Sequence, residues 1–257
     1  MQKTRYYENA KKFGEEKSAQ NVISQLHLEE YNLVFDWCTK NLNSGARILD
    51  WSALYGHVAH GLVIKGFKSV HATQYNPSPG SKYSLSNLEG VDVLFEMHDP
   101  RRISYEDKFF KTVISCGVLE HVYETGGSFD SSLKELNRIL EKQAYFVISH
   151  LPNARGLSEI KSDLLGKWSH PFTFTERGIN HLAEQNGFEV VVFKRIGILP
   201  LKARVFLKRL GLRFFANCID YLAKFFPLNH FANDFFVVLK KNSDVQNKIK
   251  TDFISNS

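Results

Sequence analysis

The chain has 257 residues, 43% of them apolar, which is enough for one α/β domain with insertions or for two small domains. This apolar content excludes wholesale disorder. The net charge of +6 is uneven, because residues 1–199 carry 23 basic and 23 acidic side chains and residues 200–257 carry 10 and 4. The main body therefore lacks the positive field that a nucleic-acid backbone requires, and we expect no nucleic-acid partner.

The cysteines and the start of the chain favour a cytoplasmic protein. Cys38, Cys116 and Cys218 are far apart and odd in number, so they predict neither a disulfide framework nor a metal site. The first residues contain no apolar region of the kind a secretory signal needs, and no apolar run has the length of a spanning helix. We expect a cytoplasmic location, which is compatible with peripheral contact at the inner face of a membrane.

Helical and strand patterns alternate along the chain. A helical apolar spacing runs through residues 7–42 and stops at Asn43-Ser44-Gly45. Strands are predicted at 47–50, 69–74, 91–95, 111–116, 144–149, 188–196 and 234–240. Helices are predicted between them at about 57–65, 81–88, 130–141 and 175–186.

This alternation predicts a doubly wound α/β fold with a mostly parallel sheet of seven strands and helices on both faces. The predicted parts are an N-terminal helical lid (1–44), an α/β core (45–199), a basic apolar helical insertion (200–230), the final core strand (231–240) and a polar tail (241–257).

Polar residues and glycines follow four of the predicted strands. These are Asp50 with the turn to Gly56, Gln74 with Asn76-Pro77, His98-Asp99, and the segment Gly117-Val-Leu-Glu-His121. In a doubly wound sheet the carboxyl ends of the strands line one crevice, where nucleotide-like ligands bind.

Five segments in this order point to one family. They are Ile48-Leu-Asp50 with Gly56, Val70-His-Ala-Thr-Gln74, Val113-Ile-Ser-Cys-Gly-Val-Leu-Glu-His-Val122, Leu136–Ser149, and His170–Thr175 with Gly187–Val191. Together they resemble the class I S-adenosylmethionine-dependent methyltransferases, in their small-molecule branch. The resemblance covers roughly residues 45–196 and resumes at the final strand, and its most specific segment is 113–122.

The resemblance implies S-adenosylmethionine as cofactor and a role for each strand end. Asp50, Ser52 and Gly56 would form the loop around the methionine moiety, Gln74 would contact the ribose, Asp99 would lie against the adenine edge, and Cys116 and Gly117 would offer backbone near the sulfonium. The implied reaction is methyl transfer, with a hydroxyl of a small molecule, a sugar or a lipid-linked glycan intermediate as acceptor.

Three positions depart from the family pattern. Ser52 and Leu54 stand where the first motif has glycines, and Gln74 stands where an acid holds the ribose. An alternative function is therefore a methyltransferase-fold protein without transfer activity that acts as a binding or scaffolding partner. A further alternative is an enzyme whose crevice holds another nucleotide-like ligand.

A hydroxyl acceptor must lose a proton, and histidine is the usual base at neutral pH. His121, His150 and His170 follow the fourth and fifth strands or lie in the loop beyond them, so they are the candidate catalytic residues. The alternative for each is a structural role, in which the ring packs against the next segment or bonds to backbone.

Residues 200–230 are basic and rich in phenylalanine and leucine. One interpretation is a segment that lies on an anionic membrane surface or against a lipid-linked acceptor. The alternatives are a helical cap over the substrate pocket and a contact between the two copies of a homodimer.

Overall fold

The structure is a computed structural model, and it describes residues 25–53, 56–75, 90–91, 93–97, 101–166, 169–199, 206–207, 210–222 and 227–242. The predictions for residues 7–24, for the helix at 81–88 and for the tail beyond 242 lie outside these residues.

The centre of the fold is a seven-stranded sheet with the order β3-β2-β1-β4-β5-β7-β6. Its strands are β1 Arg47–Asp50, β2 Ser69–Tyr75, β3 Val93–Met97, β4 Phe110–Cys116, β5 Leu140–Pro152, β6 Phe188–Ile196 and β7 Asp234–Lys241. The strands from β3 to β5 pair in parallel, and β7 runs antiparallel to β5 and β6. The predicted mostly parallel, seven-stranded α/β sheet is confirmed.

Two strands differ from their predicted bounds by more than one residue, and β2, β4 and β7 each differ by one. β3 begins at Val93 instead of residue 91, because it pairs with β2 from His71↔Val93 to Tyr75↔Met97. β5 extends beyond 144–149 in both directions, and its pairing with β7 shifts register between Ile148 and Leu151. An apolar run marks the buried middle of a strand, whereas pairing with the neighbouring strand sets its ends.

Side chains of the central strands alternate between two cores, one on each face of the sheet. Ile48, Ile114 and Val147 belong to one core, together with residues from the first two helices. Their neighbours Leu49, Val113 and Phe146 belong to the other. This period of two, with both faces apolar, is the burial pattern of a sheet that is covered on both sides.

The helices of the described residues are α1 Gln25–Asn41, α2 His57–Ile64, α3 Phe129–Ile139, α4 Leu157–Leu164, α5 Glu176–Gln185 and α6 Arg213–Leu222, with 3₁₀ turns at Leu119–Thr125 and Leu228–Phe231. The sequence patterns predicted α2, α3 and α5, but they missed α4 and the 3₁₀ turn after β4. Ser128 caps α3 through a reciprocal bond with Ser131, so this helix starts one residue before the predicted position 130.

Close packing between α1 and α2 depends on Gly61. A Cβ at this position would lie 2.2 Å from Cζ of Phe35, whose ring is buried in the core. We expect Gly61→Ala to destabilise the fold, because overpacking costs about 1–3 kcal/mol and the gain in helix propensity is at most about 1 kcal/mol. Urea denaturation would measure the change. Gly45→Ala is the matched control, since a Cβ there meets only Asn43 at 3.6 Å, and equal losses in both variants would contradict the packing argument.

Candidate active site

The first part of the site is the turn from β1 into α2. Asp50 ends β1 and is 2% exposed, and its Oδ2 accepts the backbone N–H of Ala59 at 2.9 Å. Gly56 at the N-cap position of α2 has no side chain that could accept a hydrogen bond from the first turn. The carboxylate of Asp50 therefore caps the helix in its place. Burial raises the pKa of Asp50 to about 7, and the Ala59 bond opposes this shift. The carboxyl therefore fixes the positive end of α2 at the edge of the sheet.

The loop keeps a glycine-like backbone although it contains a serine. Ser52 has φ 58° and Gly56 has φ 71°, both in the left-handed region. Thr73 on β2 holds the loop in place: its Oγ1 accepts the N–H of Ser52 at 3.0 Å, and its carbonyl accepts the N–H of Ala53 at 2.7 Å. Position 52 therefore has the conformation that glycine adopts without strain. Leu54 lies outside the described residues.

Ser52→Gly should stabilise the protein. A non-glycine residue in the left-handed region costs about 1–2 kcal/mol, and glycine removes this strain, although it adds freedom to the unfolded chain. We expect a Tm a few degrees higher, roughly 2–4 °C for about 1 kcal/mol in a chain of this length. Thermal unfolding would measure this, and Ser52→Ala, which keeps a Cβ, is the control. An equal gain in Ser52→Ala would show that backbone strain is not the cause.

The predicted strand ends lie along one edge of the sheet. Asp50 pairs with Ala72 on β2 and with Ile114 on β4, so Gln74 and Cys116 each lie two residues beyond it on the adjacent strands. Gln74 itself pairs with Glu96 on β3. His98 and Asp99 fall outside the described residues, and their predicted roles stay predictions.

Gly117 follows β4 with φ 67° and donates its N–H to the carbonyl of Ser149 at 3.1 Å. A Cβ at Gly117 would lie 3.7 Å from Oε1 of Glu120 and 3.9 Å from Cβ of His150. Glu120 is 2% exposed, and burial raises its pKa to about 7, with the charges of Asp234 and Glu124 adding to the rise. An acidic side chain that can be neutral near pH 7 therefore lies over the end of β4.

His150 lies in the irregular part of β5 with φ 56°, a strained conformation for a residue with a Cβ. The bulge turns its ring toward α1, where it packs edge-on against Tyr31 with 5.4 Å between ring centres. Burial lowers the pKa of His150 to about 4, so the ring is neutral at physiological pH.

His121 and His170 come together beside this edge, with 6.2 Å between their ring centres. Nδ1 of His170 lies 2.8 Å from Oε1 of Glu159, and Oε2 of the same carboxylate accepts the backbone N–H of His170 at 3.1 Å. His121 has a similar arrangement with Glu124, at 2.9 Å from Nδ1 to Oε1. Glu159 is 6% exposed, whereas Glu124 is exposed, so the His170–Glu159 pair is the more rigid of the two.

A carboxylate at Nδ1 selects the neutral tautomer that carries its proton on that nitrogen. In that tautomer Nε2 is the basic nitrogen of His170. This is how a histidine is prepared to act as a general base.

The loop with His170 is tied to the end of β5. The N–H of Phe174 donates to the carbonyl of Pro152 at 2.8 Å, and the N–H of Ala154 donates to the carbonyl of Phe174 at 2.9 Å. Next to the histidine pair, Tyr123 and Phe172 stack with 4.6 Å between ring centres. The described part of the site therefore has a basic centre beside an aromatic wall.

Comparison with known proteins identifies the family. A family model described as a methyltransferase domain matches residues 24–192, about two thirds of the chain. The chain belongs to the class I S-adenosylmethionine-dependent methyltransferases. Among curated protein sequences there is no significant match.

Solved structures of low sequence identity share the fold. A candidate sarcosine dimethylglycine methyltransferase from Galdieria sulphuraria has a TM-score of 0.58 at 16% identity, with 88% of this chain and 89% of that chain covered. Magnesium protoporphyrin IX methyltransferase from Synechocystis PCC 6803, solved with bound S-adenosylhomocysteine, has a TM-score of 0.56 at 13% identity. The match covers 93% of this chain and 94% of that chain. A [4+2]-cyclase has a TM-score of 0.54 at 13% identity, with 83% of this chain and 81% of that chain covered. The cyclase shows that this fold also occurs in a protein with another reaction.

The described residues fit the cofactor of this methyltransferase family, S-adenosylmethionine. The loop of Ser52 and Gly56 brings bare backbone to the edge of the sheet, Asp50 fixes the start of α2 there, and Gly117 leaves the space of a side chain at the end of β4. The cofactor-binding roles of Asp50, Ser52, Gly56, Gln74, Cys116 and Gly117 remain predictions.

The three histidines that were predicted as catalytic residues lie in two separate places. The structure brings His121 and His170 together, and it places His150 beside Gly117 and under α1. Sequence reasoning missed Glu159 as the partner of His170 and gave no role to Glu120. Nothing in the sequence links Glu159 to His170, because they meet only when the segment between them folds back across the end of β5.

Proposed function

We propose that this methyltransferase transfers a methyl group from S-adenosylmethionine to a hydroxyl of a small molecule, a sugar or a lipid-linked glycan intermediate. The observation that carries the proposal is the buried Glu159 carboxylate, 2.8 Å from Nδ1 of His170. A hydroxyl is a poor nucleophile until it loses its proton, whereas acceptors that are already anionic need no base. A histidine held by a buried carboxylate therefore favours an acceptor with a proton to remove.

The bound cofactor supplies a methyl group activated by its sulfonium charge. The residues of this chain hold the acceptor in line with that methyl group, and alignment of this kind can contribute several orders of magnitude to the rate. Nε2 of His170 takes the proton from the acceptor oxygen. His121 lies 6.2 Å away between ring centres and orients the same hydroxyl or receives its proton in turn.

Two measurements test the proposal. The first is a calorimetric titration of the full chain with S-adenosylmethionine, in which we expect saturable binding. The second follows radiolabelled methyl groups from the cofactor into the small-molecule and lipid fractions of a cell extract. We expect the label in a product that is stable to mild base, as an ether is. A label that mild base releases as methanol would indicate a carboxylate acceptor and would contradict the proposal.

The departures at Ser52, Leu54 and Gln74 favour a second candidate, a binding or scaffolding protein without transfer activity. Under that alternative the parent chain binds no cofactor, and Ser52→Gly with Gln74→Glu should create affinity for it. Binding by the parent chain, followed by transfer of label, would remove this candidate.

A further inference from the structure

Exposed large apolar side chains are concentrated in two segments. All of those in the described residues except Tyr123 and Val191 lie in 157–165 or in 206–231. Leu164 is 81% exposed and Phe214 is 73% exposed. A concentration of this kind marks an interaction surface, whereas isolated exposed apolar residues are common on any protein.

Helix α6 has its apolar side turned outward. Five of its residues with described side chains fall within an arc of about 160° on the helix: Phe214, Phe215, Cys218, Ile219 and Tyr221. Four of these side chains are exposed and that of Cys218 is half-buried, whereas a helix that packs on a core buries this side. Polar residues occupy opposite positions of the wheel at 213, 217 and 220.

Helix α4 shows the same orientation. Leu157, Ile160 and Leu164 follow the spacing of one helix face, and all three are exposed. The other side of the helix carries Glu159, which is buried and bonded to His170. The outer apolar face of α4 is therefore about one helix diameter, roughly 10–12 Å, from the side of the helix that contacts His170.

Hydrogen bonds fix the start of α4 against the segment that leads into β7. Oδ1 of Asn233 accepts the N–H of Ser158 at 2.9 Å, and Nδ2 of Asn153 donates to the carbonyl of His230 at 3.0 Å. Leu228 and Phe231, both exposed, belong to this segment. The start of α4, with Leu157, and the turn at 228–231 are thus fixed next to each other.

The charge of the region distinguishes between possible partners. Residues 200–231 contain six basic residues and one acidic residue, together with six phenylalanines and six leucines. Two copies of this surface would bring like charges together, which disfavours self-association. An anionic lipid surface attracts the basic residues and accepts the apolar ones. Within the described residues, no helix combines the length and apolar character needed to cross a membrane.

We propose that the outer face of α4 and the described residues 206–207, 210–222 and 227–231 form a docking surface that lies on an anionic lipid bilayer. Exposed phenylalanine and leucine side chains enter the boundary between headgroups and acyl chains, and the positive charge of residues 200–231 attracts the surface to anionic headgroups. The docking does not depend on methyl transfer. If the proposed function also holds, the acceptor reaches His170 from the lipid layer, which selects the lipid-linked class among the proposed acceptors.

Vesicle sedimentation with the full chain tests the docking. Vesicles of phosphatidylcholine alone are compared with vesicles that also contain phosphatidylglycerol, and we expect binding only to the anionic ones. The double variant Phe214→Ser with Phe215→Ser should reduce binding roughly tenfold or more, because two exposed aromatic anchors are lost. Val191→Ser, an exposed apolar residue outside the surface, is the matched control and should bind as the parent does.

Three results would overturn the proposal. The first is no sedimentation of the parent chain with anionic vesicles, and the second is an equal loss of vesicle binding in Val191→Ser. The third is that light scattering finds a dimer for the parent chain and a monomer for the double phenylalanine variant. The last result would assign the surface to a second copy of the chain. A titration with S-adenosylmethionine separates this test from the proposed function, since the double variant should bind the cofactor like the parent. Vesicle binding by a chain that binds no cofactor would support the docking and contradict methyl transfer.

Discussion

Replacing His170 by alanine is expected to reduce kcat roughly 10²–10⁴-fold, the usual contribution of a general base. The fold should persist, because the ring is only half-buried and His170 lies in a loop. Cofactor affinity should change little, since the base acts on the acceptor. The rate of label transfer into the extract fraction identified as acceptor would measure the effect, with calorimetry confirming that the cofactor still binds.

Three comparisons separate a base from a structural histidine. Glu159→Gln keeps one oxygen for Nδ1 of His170 but loses the second acceptor, which bonds the backbone N–H of His170, so we expect a smaller loss of kcat than in His170→Ala. Added imidazole should restore part of the activity of His170→Ala, which it cannot do for a folding defect. His181→Ala on the exposed side of α5 is the matched control and should keep full activity. A full loss in His121→Ala together with normal activity in His170→Ala would assign the base to His121 instead.

The central fold could be predicted from the sequence because its strands are short, apolar and buried on both faces. The bounds of β1 and β6 agree with their apolar runs, and Asp50 at the end of β1 was correctly placed at the edge of the sheet. A polar residue that interrupts such a run marks the point where the strand leaves the core. The position at which such a strand ends can therefore be predicted from the local sequence.

Long-range contacts could not be predicted in the same way. Helix α4 was missed because its apolar stripe of Leu157, Ile160 and Leu164 faces outward and the helix is only eight residues long. The bond from Glu159 to His170 depends on how the loop crosses the end of β5. The left-handed backbone of His150 follows from a register shift between β5 and β7, which involves residues more than eighty positions away. Each of these features is set by tertiary pairing, and they concern the residues around His150 and His170 more than the loop of Asp50 and Ser52.

Stability should depend on pH through three buried groups at this edge of the sheet. Asp50 and Glu120 have pKa values raised to about 7 by burial, while carboxyls in the unfolded chain titrate near 4. Between these values the native state holds protons that the unfolded state releases, so each acid makes the free energy of unfolding fall as pH rises. The slope approaches about 1.4 kcal/mol per pH unit for each group. His150 acts in the opposite sense, because its pKa of about 4 lies below that of an unfolded histidine.

The three titrations predict how the free energy of unfolding should change with pH in each of a set of variants. A general effect of acidity would not produce this order of slopes. From about pH 4.5 to 6.5 the two acids outweigh the one histidine, so the parent chain should lose roughly 1.4 kcal/mol per pH unit. Asp50→Asn keeps an oxygen for the N–H of Ala59 and removes the titration, so its stability should be nearly flat over this range. Asp50→Asn with Glu120→Gln should become more stable as pH rises, because only His150 then remains. His150→Gln should steepen the fall. Urea denaturation across the range measures all four proteins, and a parent chain that gains stability with rising pH would show that neither carboxyl is held protonated by its burial.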